Sequence, residues 1–239
     1  IASYKPGERM TFTAYGGYRG LLGAPESEEV VLLSYPDSES LVRGMRDGEI
    51  DVAHRGLASA DVEALRDETG VTIVDGPGGE IRCLVFNFDT MPFGAKTPDA
   101  DPAKALAVRR AIAGVIDRAE LAERVYHGSY APLYSYVPQG LTGATEVLKE
   151  LYGDGSGGPD VSAARETLAA AGVQTPVALE LHYSLDQYGG SSGEEYALIK
   201  RQLETSGLFT VEIGSAEGAQ YAKDRTADAY PLYQFARFP

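Results

Sequence analysis

Apolar and polar positions change period several times along the chain, and the changes mark its elements. Residues 8–15 (ERMTFTAY) and 29–34 (EVVLLS) predict two strands. Between them Gly16, Gly17, Gly20 and Gly23 make a loop, and Tyr35-Pro36 closes the second strand. Ser38 is placed to cap a helix with Leu41, Val42 and Met45 on its apolar face and Gly48 just past its end. Residues 49–53 (EIDVA) predict a short strand. Ser59 opens a second helix carrying Val62 and Leu65 and ended by Gly70, and residues 71–74 predict another strand. Such an alternation predicts an α/β architecture.

The strongest break in this half is residues 75–79 (DGPGG), which reads equally as a hinge or as a surface turn. Residues 81–88 (IRCLVFNF) carry apolar residues on both parities, which predicts a strand buried on both faces. Asp101 precedes Pro102 as an N-cap before a first-turn proline. Val108, Ile112, Val115, Ile116 and Ala119 then form a helical stripe. Asp117 and Glu120 make a capping box for a second helix with Leu121 and Val125 inward and Gly128 at its end. Residues 129–159 predict mostly loop, with several tyrosines, prolines and a GDGSGGP run.

Asp160 caps the helix VSAARETLAAAG. Val177, Leu179, Leu181 and Tyr183 alternate with polar partners as a half-buried strand. Ser192 and Glu195 have capping-box spacing before a helix with Tyr196, Ile199 and Leu203 inward, ended by Gly207. Phe209, Val211 and Ile213 predict the next strand, residues 216–226 a short helix, and residues 230–238 a final aromatic strand.

Composition narrows the function. Of 239 residues, 44% are hydrophobic and 23% charged, an ordinary globular balance. The net charge of −14, from 21 basic and 35 acidic residues, argues against nucleic acid and against an anionic membrane surface. Cys83 is the only cysteine, so no intrachain disulfide or cysteine-based zinc site is available. Its apolar strand predicts a buried, inert thiol. The chain opens directly in strand-like sequence at Ile1 and stops inside an aromatic run at Pro239, so it reads as a piece of a longer protein.

Catalytic chemistry is hard to assemble from these residues. His54, His127 and His182 lack metal-ligand spacing and read as surface histidines. No glycine-rich stretch opens a helix in a phosphate-binding pattern, and no GxSxG elbow is present. What stands out is 15 Tyr beside 7 Phe and no Trp. Tyr183, Tyr188, Tyr230, Tyr233 and Phe235 lie at or just past carboxyl ends of predicted strands, where α/β sheets take ligands. Tyrosine offers contact area plus one hydrogen bond, which suits binding without reaction, and core packing accounts equally well for each one singly.

Several stretches, in order, carry a resemblance. YKPGERMTF and LVRGMRDGEIDVA come first, the latter holding a G-E-(I/V)-D pattern. CLVFNFDTMPF followed by AVRRAIAGVIDRAEL is the most specific piece, with its V-R-x-A-I-x-x-x-I-D-R run. VSAARETLAAAGV, ALIKRQLETSGLFTVEI and PLYQFARFP complete the set. The whole chain resembles the family 5 extracellular solute-binding proteins, the dipeptide/oligopeptide-binding type that serves ABC importers. The resemblance implies an α/β fold of the type II periplasmic-binding-protein kind, with mixed sheets flanked by helices in two lobes, here incomplete. It assigns residues 1–75 to part of the first lobe, 76–80 to a hinge-like linker and 81–239 to most of the second lobe.

The same resemblance implies a binding protein without catalytic residues, metal or cofactor. Arg109, Asp117 and Arg118 match the family's most recognisable positions and carry structural roles, Asp117 capping and the arginines pairing. The ligand contacts carried over are Tyr183, Ser184, Asp186 and Tyr188 in one loop and Gln234, Phe235, Ala236 and Arg237 in the last strand, with Asn87 a cap or a pocket edge. Ala236-Arg237 stands where family members commonly have Gly-Trp, so an aromatic wall gives way to a cation. The implied partners are a peptide or small solute and ABC permease subunits. The implied location is extracytoplasmic, with membrane attachment only through a lipid anchor outside these residues. The alternative is a ligand-sensing lobe of a cytoplasmic transcription regulator.

Overall fold

Three short strands build the first of two units: β1 (Ser3–Lys5), β2 (Arg9–Thr13) and β3 (Glu29–Leu33), antiparallel in that order. The register sets Met10 opposite both Tyr4 and Leu32, and Phe12 opposite Val30. Paired residues share a sheet face, so Tyr4, Met10, Phe12, Val30 and Leu32 form one apolar side. Tyr4, Val30 and Leu32 are all more than half exposed. The unit comprises residues 1–57 and the second 58–239. The computed structural model describes the whole chain except Arg55, Asp75, Pro77, Phe238 and Pro239. The expected hinge at 75–79 and the last residue of the expected final strand therefore fall partly outside the described residues.

Helix α1 (Ser38–Arg46) is capped one residue earlier than its sequence suggests. Asp37 is extended, and its carboxylate accepts from the Ser40 amide at 2.8 Å, which leaves Ser38 as the first helical residue. Gly48 follows with φ +70°, the left-handed turn expected of it. The strands expected at 49–53 and 71–74 do not form. Both are short, and neither meets a neighbouring strand that would pair its backbone groups.

The second unit begins with α2 (Ser59–Arg66), which buries Leu65. It continues through β4 (Ile81–Phe86), α3 (Pro102–Val115), α4 (Arg118–Arg124), α5 (Val147–Leu151) and α6 (Val161–Ala170). Then come β5 (Val177–Ser184), α7 (Ser192–Thr205), β6 (Phe209–Ala216), α8 (Gly218–Thr226) and β7 (Leu232–Arg237). The sheet runs β4-β7-β5-β6, with β5 parallel to both β6 and β7, and β4 antiparallel at the edge. It is thus the mixed sheet expected, and α7 and α8 are its crossover helices.

Most of the expected apolar stripe is the core, with Ile116 partly buried against it and Ala119, which falls in the next helix, exposed. Val108, Ile112 and Val115 of α3 pack with Leu168 of α6, Leu179 and Leu181 of β5, and Tyr196, Ile199 and Leu203 of α7. Residues on the α8 side form a separate aromatic cluster of Tyr188, Tyr221 and Tyr230 with Ala236. Asp101 caps α3 by accepting from the Ala103 and Lys104 amides at 2.9 and 3.1 Å. Asp101→Ala is expected to cost about 1 kcal/mol, read as a lower urea midpoint at unchanged slope.

Two expectations for this unit need correction. Cys83 is exposed, because β4 is an edge strand and not one covered on both faces. Among the described residues, Arg109 and Arg118 also do not pair with carboxylates. The Arg109 guanidinium lies 4.5 Å over the Phe88 ring, and that of Arg118 donates to the carbonyls of Ala113 and Ile116 beside the Tyr134 ring. Asp117 does cap α4, taking the Glu120 amide at 2.9 Å.

Candidate functional site

Parallel strands end on one side of a sheet. Ser184 closes β5, Ala216 closes β6 and Arg237 closes β7, so their carboxyl ends share one edge. Because β4 runs the other way, Ile81 pairs with Arg237, and residues 78–80 lead into the sheet at that same edge. Ligands of open α/β sheets bind outside this edge. The topology brings together Tyr183, Ser184, Asp186, Tyr188, Gln234, Phe235, Ala236 and Arg237. Asn87 is not with them. It follows β4 at the opposite edge, about 20 Å along the strand by its usual rise, where its amide nitrogen bonds to the Pro231 carbonyl and its side chain reaches Asp228.

The eight residues of the edge differ in what they offer. Asp186 and Arg237 are exposed, and Tyr183 and Phe235 are half-buried. Ser184, Tyr188, Gln234 and Ala236 are buried. The Ser184 hydroxyl donates to Asp186 at 3.1 Å and accepts from the Gln187 amide at 3.1 Å, which folds the loop after β5 back on itself. Asp186 also takes the Gly218 amide at 2.7 Å, at the first residue of α8.

Gln234 spends its whole amide inside the unit. Its oxygen accepts from the Ser184 amide at 3.2 Å, and its nitrogen donates to Ser192 Oγ and Glu195 Oε2, each at 3.0 Å. This pairing replaces the capping box expected of Ser192 and Glu195. Helix α7 opens at Ser191 without a side-chain cap, because both expected capping groups turn toward buried donors of β4 and β7.

An aromatic wall backs the edge. Tyr188 meets Tyr221 and Phe235 edge-on at 6.3 and 6.4 Å between centroids, and Tyr230 stacks on His182 at 4.1 Å. Burial, with Asp224 accepting from its hydroxyl at 3.0 Å, pushes the Tyr230 phenol up to about 12. Burial also raises Tyr221, whose hydroxyl sits 2.8 Å from the Gln234 carbonyl oxygen. These phenols stay protonated, so the wall offers apolar area and neutral hydrogen bonds. His182 is no free surface residue. Burial against Tyr230 holds its pKa below the usual histidine value.

Sequence reasoning missed Arg225, Arg82, Glu195 and Tyr221. Arg225 lies 5.0 Å over the Phe235 ring and donates to the Tyr188 hydroxyl at 2.9 Å. Arg82 was the legible signal of the set: it is a cation in an otherwise apolar strand, and such a residue needs a buried partner. Among the described residues no group of three His, Cys, Asp or Glu is placed to hold a metal ion, and no helix is long and apolar enough to cross a membrane.

The family model for bacterial extracellular solute-binding proteins, family 5, matches residues 1–239. No curated protein sequence matches the chain. Among solved structures, the ABC transporter substrate-binding protein CtaP of Listeria monocytogenes superposes with a TM-score of 0.76 at 18% identity, over 98% of this chain and 44% of that one. NikA of Brucella suis, in complex with Fe(III)-EDTA, gives 0.75 at 19% identity over 99% and 46%. DppA of Helicobacter pylori, in complex with the peptide STSA, gives 0.74 at 18% identity over 99% and 42%. The chain thus spans under half the length of these three proteins and shares their type II periplasmic-binding-protein fold. On a family match that runs its full length, the chain belongs to the bacterial extracellular solute-binding proteins of family 5.

Proposed function

We propose that this chain is part of the substrate-binding component of an ABC importer, which captures oligopeptides or a similar small solute by closing two lobes on it. On the family pattern, residues 1–75 belong to the first lobe, 76–80 to the linker and 81–239 to the second lobe, although 58–75 belong to the second compact unit. The protein works outside the cytoplasm and hands its solute to permease subunits, with a lipid anchor beyond residues 1–239 holding it at the membrane. No bond is made or broken; binding shifts a population from open to closed.

The observation that supports this most is the convergence of Tyr183, Asp186, Phe235 and Arg237 on the carboxyl edge of parallel strands, backed by protonated tyrosines. A peptide there meets aromatic area, one carboxylate and one cation, which fits a zwitterionic ligand held in part through water. Of the relatives, DppA is in complex with a peptide and the Brucella suis NikA with a metal chelate, so both classes belong in the test.

Isothermal titration of the protein that carries this chain, with tetraalanine in one series and nickel–histidine in another, tests the reading. Binding of either at micromolar Kd or better is expected, and residues 1–239 alone should bind at least ten-fold more weakly because they hold only part of both lobes. Equally tight binding by the two would sink the two-lobe reading. Binding of neither probe by the longer protein would sink this choice of solute class.

A further inference from the structure

Arg82 is the second residue of β4, and one guanidinium there touches three separate pieces of the unit. Nη1 donates to the Tyr188 carbonyl at 2.7 Å, inside the loop that follows β5. Nη2 donates to Ser192 Oγ and Glu195 Oε2 at 3.1 Å each, in the first turn of α7. Those two acceptors are the ones that hold the Gln234 amide of β7. The arginine and glutamate side chains are 8% and 13% exposed, so the pair is withdrawn from solvent. The rings of Tyr126 and Tyr130 lie 5.3 and 5.8 Å from the guanidinium carbon. The Tyr130 hydroxyl in turn donates to Glu80 at 3.1 Å, at the entry to β4. Burial works against the charge on Arg82, and Glu195 together with Tyr126 and Tyr130 more than restores it.

The pieces joined in this way are the ones that carry the edge residues. The loop 185–191 holds Asp186 and Tyr188 and contains Gly189 and Gly190, so its backbone has little stiffness of its own. Strand β7 holds Phe235 and Arg237. Neither Ser192 nor Glu195 serves α7 as a cap, although their spacing suits it, and both are turned toward Arg82 and Gln234 instead. A buried ion pair is a weak source of stability compared with apolar packing, but it can fix one arrangement among several.

We propose that Arg82 is a positioning residue for ligand capture: anchored by Glu195, it locks the loop 185–191 and strand β7 into one arrangement, so that the carboxyl edge meets its solute preformed. This rests on the reading of that edge as the solute-facing surface. A preformed edge spares the loop the ordering that binding would otherwise impose, and the gain appears as affinity. Lysine cannot substitute, because one ammonium on a flexible stem does not reproduce the fork that reaches the Tyr188 carbonyl and the α7 acceptors together.

The test is amide hydrogen exchange on the ligand-free protein that carries this chain, comparing wild type with Arg82→Lys and Glu195→Gln, followed by tetraalanine titration of each. Exchange at residues 185–191 is expected to speed up at least ten-fold more than exchange at amides of α3 in both variants, beyond any global loss of stability the two share. Affinity for tetraalanine is expected to fall about ten-fold in the folded fraction. A residue that serves stability alone would speed exchange in α3 and in the loop alike and leave the affinity of the folded fraction unchanged, and that result overturns the proposal. So does unchanged exchange in the loop. Should one variant fail to fold, the other decides by the same two readouts. Wild-type protein that binds no tetraalanine counts against the oligopeptide reading, and nickel–histidine then replaces it as the titrant for the affinity arm; a wild type that binds neither overturns the capture role. The exchange data stand apart from the choice of ligand.

Discussion

Truncating Glu195 to alanine is expected to cost the second unit about 3–5 kcal/mol, because it strands the Arg82 guanidinium as an unpaired charge in a site that excludes water. The arginine side chain is only 8% exposed, so solvent cannot take over from the lost carboxylate without prying β4 from α7. The same truncation removes one acceptor from the Gln234 amide. For a unit of this size the melting temperature should drop by roughly 6–20 °C. Urea unfolding followed by circular dichroism measures it, and a loss under 1 kcal/mol would show that Arg82 finds water or another partner.

The double variant Arg82→Met, Glu195→Leu sharpens the point. Removing both charges abolishes the stranded cation, and buried pairs replaced by apolar residues of similar volume are often neutral in stability. Recovery should nonetheless be partial. The Tyr188 carbonyl and the Gln234 amide nitrogen each still lose a partner, and buried groups left unpaired cost about 1–3 kcal/mol apiece.

Much of the second unit was legible residue by residue. Asp101, Asp117 and Asp160 cap the helices their positions promised, since a cap is a local bond between a side chain and an amide two or three residues on. Alternation gave β5 and β6 for the same reason: period two records which face is buried. The failures have one cause. Residues 49–53 and 71–74 have strand-like composition, yet a strand exists only where another strand meets it, and that is a property of the whole fold. Cys83 was misplaced by the same gap, since the parity of apolar residues in β4 does not tell an edge from a centre. Ser192 and Glu195 satisfied a local rule that two distant donors, Arg82 and Gln234, overrode.

The edge was legible in kind. Of the aromatic residues the sequence placed at carboxyl ends of strands, Tyr183, Tyr188 and Phe235 lie at the edge that the parallel order of β5, β6 and β7 creates, whereas Tyr230 precedes β7 and Tyr233 is its second residue, toward the amino end of that strand. The sequence did not tell which candidates keep a free polar group. Ser184 and Gln234 are named as ligand contacts by the family resemblance; in the structure the Ser184 amide and the Gln234 side chain bond each other, Gln234 also bonds α7, and the Ser184 hydroxyl is held by its own loop. Nor did it give Asn87 its place at the opposite edge, which follows only from β4 running antiparallel to β7.

Gln234→Met is expected to destabilise the second unit by about 2–4 kcal/mol even though it keeps the side chain's length and unbranched shape. Gln234 is 1% exposed, so methionine fills the same space and the cost is electrostatic. The Ser184 amide loses its acceptor at a residue that is itself fully buried, and one orphaned buried donor costs about 1–3 kcal/mol. Ser192 and Glu195 each lose a donor as well, though both keep Arg82, so their loss adds less than a full group. Gln234→Glu makes the complementary case: it retains an acceptor for Ser184 but sets a second carboxylate against Glu195, and one of the two must take up a proton. Its stability should therefore fall as pH rises from 5 to 8, while that of Gln234→Met should follow wild type over the same range. Denaturant midpoints of the three proteins at pH 5, 6.5 and 8 measure the difference. A methionine variant as stable as wild type would show that the Gln234 amide is not what joins β7 to α7.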